Sequence, residues 1–229
     1  MQLQANLFMD SLKKTSEFEL DFGEVKEYFP KLSYGRNSKN KIWIISGELD
    51  ICDVKGNYWN TFDIKIIVPE SYPYCVPIVL EMSEIIPRDI DWHISENGIC
   101  CLDSDNNLIL LSRHGINLKD FIAKKVYPFF ANQLYKLEKN KYAGQEYKHH
   151  VEGIIQYYIE DLEIPTAEDI VIFLEHILNK KDLTRNRLCP CKSGEKIKKC
   201  HEKAIDSIKT IGREKMLYDL AEIKKKLDF

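Results

Sequence analysis

Long apolar runs are missing from this chain. Nowhere do eighteen consecutive apolar residues occur, and the opening MQLQANLFMD has no basic stretch leading into an apolar one. Neither a membrane span nor a secretory leader is therefore expected. Internal repeats and low-complexity tracts are also lacking, which leaves one ordinary core plus a small appendage as the expectation for 229 residues at 44% apolar and 11% aromatic content. No glycine-rich loop of the nucleotide-binding kind occurs, so ATP use is expected to lie in another protein. A disulfide framework is lacking as well. The seven cysteines are odd in number and clustered rather than spaced as a scaffold, which suits a reduced, cytoplasmic setting.

What the chain does have is asymmetry. Residues 181–229 hold 14 Lys and Arg against 8 Asp and Glu, so a tail of +6 follows a body of -9 within the overall -3. Such charge most often marks a solvated helical surface, and nucleic-acid binding is not indicated. The periodicity also changes along the chain, reading β first and α later. Residues 42–51 and 59–68 are rich in Ile, Val, Trp and Phe and partly alternate polar with apolar, as half-buried antiparallel strands do. Residues 53–57, DVKGN, suit a hairpin turn between them. A third strand at 77–82 follows Pro69, Pro73 and Pro77, whose fixed φ favours a rigid extended crossing.

Helical spacing begins at Leu118 and runs through Phe121, Ile122, Val126, Phe130, Leu134 and Leu137, with Pro128 expected to kink or split the element. Val151, Ile154, Ile155, Tyr158 and Leu162 form a second stripe. Thr166 with Asp169 three residues on predicts a capped start for a helix through Ile170, Phe173, Leu174 and Ile177. Residues 180–186 read as a linker. Ile205, Ile208, Met216, Leu220, Ile223 and Leu227 predict a last amphipathic helix over 204–229.

Two cysteine groups need separate explanations. Cys189 and Cys191, then after eight intervening residues Cys200 and His201, supply three thiolates and one imidazole, the soft and borderline donor set that four-coordinate zinc takes. All four positions are filled by protein, so the ion is expected to be structural, replacing a core that about twenty residues cannot build. The segment LCPCKSGEKIKKCH closely resembles the SEC-C motif, a short zinc-binding element at the ends of bacterial proteins. Cys189, Cys191, Cys200 and His201 fall on its ligands, and Ser193-Gly194 and the Lys-rich stretch are also in place. In relatives the motif is a docking adaptor, so a partner is implied.

The second group is Cys100-Cys101. A nucleophilic thiol must sit exposed on irregular backbone beside a sheet to reach a bulky acyl donor, and a position just after a glycine suits this. The run PESYPYCVP at 69–77, followed after about twenty residues by NGICCLD at 97–103 and then by helices, resembles the ubiquitin-conjugating enzyme family in divergent form, over residues 1–165. The resemblance implies an α+β fold, an antiparallel meander packed on helices. Tyr72-Pro73 and Pro77 match the family's Tyr-Pro and the second proline of its Pro-Pro pair, while Val76 replaces the first. Alignment on Asn97-Gly98 and Leu102-Asp103 selects Cys101 as the thioester-forming residue. Neighbouring side chains of extended backbone point to opposite faces, which sends Cys100 inward as packing. Cys52 and Cys75 are expected to be structural.

One departure bears on mechanism. Where the family has His-Pro-Asn ending eight residues before its cysteine, this chain has Asp91-Trp92-His93. An imidazole there can donate a hydrogen bond to an oxyanion or take an amine proton. His114 is a weaker candidate for approaching the thiol, and His149-His150 read as surface residues. The expected organisation is thus a conjugating-type domain at 1–165, helix and linker at 166–183, zinc motif at 184–203 and a helix at 204–229.

The function implied is transfer of an activated protein C-terminus, accepted on Cys101 as a thioester and passed to a lysine, with activation by a separate enzyme. The donor is a cGAS-like nucleotidyltransferase, as in bacterial antiphage operons of the cyclic-oligonucleotide (CBASS) type, or a ubiquitin-like protein. The alternative is a non-catalytic module that binds a ubiquitin-like protein and docks through the zinc knuckle.

Overall fold

The computed structural model describes residues 16–37, 41–144, 146, 148–179 and 183–228. The opening decapeptide and residues 180–182 of the expected linker lie outside that set. The chain is α+β, with a four-stranded antiparallel meander and helices.

Helix α1 (Glu17–Tyr28) starts at a capping box, with the Glu19 amide donating to Ser16 Oγ and the Ser16 amide donating back to Glu19 Oε2. Its buried residues, Phe18, Phe22 and Val25, recur at helical spacing on one face. Phe18 stacks on Trp43 with ring centroids 4.5 Å apart, which joins the helix to the sheet. Strands β1 (Leu32–Asn37), β2 (Ile42–Cys52), β3 (Tyr58–Val68) and β4 (Ile78–Glu81) pair in sequence order. The turn at 53–57 forms as expected, because Asp53 Oδ1 accepts the amides of Lys55 and Asn57.

Helix α2 (Asp105–Arg113) opens on Ser104, whose hydroxyl accepts the Asn107 amide. Pro128 splits the next element as expected: α3 (Leu118–Phe121) runs into a π turn over Ile122–Val126 and resumes as α4 (Tyr127–Lys139). The wider turn moves the hydrogen-bond register at the point where proline has no N–H to give. After α5 (His150–Gln156), helix α6 (Ala167–Leu178) is capped by Thr166 as predicted, its hydroxyl accepting the Asp169 amide at 3.1 Å. The single last helix expected over 204–229 is instead two, α7 (Glu202–Ile211) and α8 (Arg213–Lys226). They are separated at Gly212, whose φ of +96° lies outside helical backbone.

Buried apolar side chains form two clusters. The first runs from Phe18 to Leu134 between the sheet and its helices, and the second from Tyr157 to Ile223. Helix α2 serves both, with Leu108 and Leu111 against the first and Ile109 and Leu110 against the second. A buried polar cluster fastens the seam. Asp219, 0% exposed, accepts from Asn106 Nδ2 at 3.1 Å, from the Tyr158 hydroxyl at 2.9 Å and from Lys215 Nζ at 2.7 Å. The segment that follows residue 183 also contributes to the second core, through Cys189 and Ile197. No helix among the described residues is long and apolar enough to cross a membrane.

Candidate active site and metal centre

The stretch carrying the paired cysteines is tacked to the end of the sheet. Ser95 and Ile99 close a turn in which Ser95 N donates to Ile99 O and Gly98 N to Ser95 O. Glu81 N donates to Gly98 O and Cys100 N to Val79 O, both across to β4. Gly98 has a φ of +82°, and a Cβ there would stand 2.7 Å from Glu81 O and 3.1 Å from Arg88 Nη1, so glycine is required both for conformation and for space. Beneath it, Arg88 forms an ion pair of 2.6 Å with the fully buried Glu81 carboxylate and donates Nη2 to the Glu81 carbonyl.

This backbone sends the two thiols opposite ways. Cys100 is 7% exposed and belongs to the first core, while Cys101 is exposed. On the far side of the thiol, Leu102 packs on the first core and Asp103 is held by the Ser104 amide, Asn107 Nδ2 and Lys125 Nζ. Burial pushes the Cys100 thiol up to about 12. Cys101 is also raised, by partial burial first and then by the Asp105 carboxylate, which opposes a second negative charge.

His93 is fixed beside Cys101 through the backbone, the Cys101 amide donating to the His93 carbonyl at 2.8 Å. It caps a 3-10 turn (Ile90–Trp92) in left-handed conformation, φ 52°. Helix α4 clamps that turn, with Gln133 Nε2 donating to Trp92 O at 3.0 Å and Lys136 Nζ reaching Asp91 O; Tyr142 adds its hydroxyl to the same carbonyl at 3.2 Å. His93 Nε2 lies 3.0 Å from Glu146 Oε1, and its ring centroid 4.6 Å from that of His149. Burial and the adjoining His149 hold His93 below the usual imidazole range. Cys101, His93, Glu146 and His149 all line one open cavity of about 950 Å³.

His149 therefore departs from the surface role expected of it. Helical spacing tests only local partners, whereas its neighbour here is 56 positions away. Glu146 carried no signal in the sequence. His150 is exposed. His114 ends α2, its Nδ1 turned back to the Leu110 carbonyl at 2.8 Å, and is not among the residues lining the cavity.

No family model, curated protein or solved structure matches this chain.

The second cysteine group does converge. His201 Nδ1 lies 3.0 Å from Cys200 Sγ and 3.3 Å from Cys189 Sγ, and Cys191 Sγ lies 3.4 Å from Cys200 Sγ. The ligand atoms of all four side chains lie within 4.8 Å of one another, so they could hold a metal ion, and the set suits zinc. His201 gives its other nitrogen to the Glu163 carbonyl at 2.9 Å, which fixes the tautomer that turns Nδ1 toward the thiols. Its ring also packs on Phe173 of α6, with centroids 5.2 Å apart.

Proposed function

We infer that the protein is a cysteine acyltransferase of the ubiquitin-conjugating type, with Cys101 as the thioester carrier. The observation that carries this reading is the opposite fate of two adjacent thiols, Cys100 in the core and Cys101 exposed at a cavity, on a loop tied to the end of a four-stranded meander. In loading, the Cys101 thiolate attacks a donor thioester, forms a new sulfur–acyl bond and releases the donor's thiolate. In transfer, a lysine amine attacks the Cys101 thioester, an amide forms, the Cys101 thiolate leaves and the amine loses a proton. His93, pinned to the Cys101 amide, serves the second step.

Arg88 beneath the loop is committed to Glu81, and Lys125 beside it to Asp103; the raised thiol favours acyl exchange in a formed complex over indiscriminate reaction in solution. The donor is the C-terminus of a cGAS-like nucleotidyltransferase in bacterial antiphage defence, activated by a separate enzyme. The zinc ion at Cys189, Cys191, Cys200 and His201 is structural, in a cytoplasmic protein, and the knuckle docks a partner.

Intact-mass analysis of the protein purified with its operon neighbours tests the reading. A thiol-labile mass addition is expected on wild type and not on Cys101→Ala, and an adduct that survives Cys101→Ala refutes it. His93→Ala should load normally and transfer slowly; unchanged transfer removes His93 from the mechanism. A non-catalytic module holding a ubiquitin-like protein would bind that partner equally well with Cys101→Ala and never form the adduct.

A further inference from the structure

The cavity contains a cluster that the acyl-carrier reading does not require. His93, Glu146 and His149 come from three points of the chain: the end of a 3-10 turn, the connection after α4, and the residue that begins α5. Their ligand atoms all lie within 4.8 Å of one another. His149 stands at a helix N-cap yet makes no side-chain cap hydrogen bond, and its imidazole lines the cavity with the other two. His93 is only 17% exposed at the side chain and is held by the clamp on the carbonyls of Asp91 and Trp92. A histidine held by its backbone, a second histidine that makes no cap hydrogen bond and a carboxylate 3.0 Å from the first form the His2Glu donor set that binds zinc with a position left open.

We propose that His93, Glu146 and His149 form a second metal site, which takes a zinc-type divalent ion through two imidazoles and one carboxylate. The site differs in kind from the knuckle. There, four protein donors close the coordination shell; here three protein donors face an open cavity, so the remaining position is available to water or to a ligand oxygen. Cys101 lines the same cavity but is not among the grouped donors, so the thiol stays free.

The ion would also settle the tautomer of His93. With Nε2 on the metal, the neutral ring carries its proton at Nδ1 and can only donate there; without metal, Nε2–H donates to Glu146 and Nδ1 can only accept. The ion thus converts His93 from a proton acceptor into a hydrogen-bond donor for an oxyanion. That consequence rests on the acyl-carrier reading, whereas the site itself does not.

Cobalt(II) titration of the full-length, tag-free protein tests the proposal, after one equivalent of zinc has filled the thiolate knuckle. A second equivalent should bind at micromolar concentration or tighter, with weak visible bands and no sulfur charge-transfer absorption. His149→Ala and Glu146→Gln should each weaken this equivalent at least tenfold while the far-UV dichroism stays that of wild type, and Cys101→Ala should leave it unchanged. The exposed, isosteric Glu146→Gln keeps the test valid if His149→Ala misfolds. The proposal is overturned by the absence of a second equivalent in wild type, by wild-type binding in both variants, or by sulfur charge transfer in the second equivalent that vanishes in Cys101→Ala. A Glu146–His93 hydrogen bond acting only as a proton relay would give the first of these results. Adduct formation on Cys101 is not read in this experiment, so either idea can fail while the other stands.

Discussion

Replacing Gly98 by alanine tests whether the thiol-bearing loop is held by the backbone of β4 and by Arg88, paired to the buried Glu81 carboxylate. Two costs arise. An L-residue at left-handed φ loses about 1–2 kcal/mol, and Gly98 has φ +82°. The added methyl would also lie 2.7 Å from Glu81 O and 3.1 Å from Arg88 Nη1, an overpacking worth about 1–3 kcal/mol. A control separates them, because Gly56 in the β2–β3 turn has nearly the same φ, +83°, with nothing within 4 Å of its added Cβ. Gly56→Ala should therefore lose about 1–2 kcal/mol and Gly98→Ala about 2–5 kcal/mol, measured as the midpoint shift in urea unfolding at unchanged slope. For a chain of this size the extra loss lowers Tm by about 2–4 °C per kcal/mol. Equal losses in the two variants would refute the claim that the loop is wedged against β4.

Four further outcomes follow from the same structure. With iodoacetamide at pH 8, Cys101 should label while Cys100, pushed up to about 12, carries only about one thiolate in ten thousand molecules; equal labelling in folded protein counts against the opposed orientation. Because the Asp105 carboxylate raises Cys101, Asp105→Asn should move the midpoint of its alkylation profile to lower pH and speed labelling at pH 8, and an upward or absent shift would exclude that electrostatic contact. Asp219→Ala strands Asn106, Tyr158 and Lys215, so its folding free energy should fall by about 3–5 kcal/mol, read in urea; a loss below about 1 kcal/mol would mean the seam is wet. Chelation of the knuckle metal should lower Tm and expose the second core to a hydrophobic dye, since Cys189 and Ile197 are buried within it; an unchanged melting curve would show that the four side chains hold no structural ion.

The readability of the fold varied with how local its causes are. Strands β2 and β3 were visible because burial alternates along much of each, and Thr166 and Pro128 acted through their own neighbours. The fold class was legible at that level. Strand β1 left no trace because only Leu32 of its six residues is buried, so there is no alternation to see, and α1 shows its apolar face in just three side chains. The knuckle donors lie within thirteen residues of one another, and spacing alone exposed them. Glu146 and His149 meet His93 only because α4 carries the chain back over the 3-10 turn, a tertiary event that no local pattern records. Gly212 divides the last helix by its backbone conformation, which the apolar spacing on either side of it concealed.

Helix α2 begins four residues after Cys101 and puts one face in each core. The two cores should therefore melt as one cooperative unit. A shortened chain ending before the knuckle would take Asp219 from Asn106 and remove the later part of the core on which Ile109 and Leu110 pack. Loss of Cys101 chemistry on such a truncation would then report a loosened helix, not a missing docking partner, and point substitutions on the knuckle's exposed face are the cleaner way to separate the two roles.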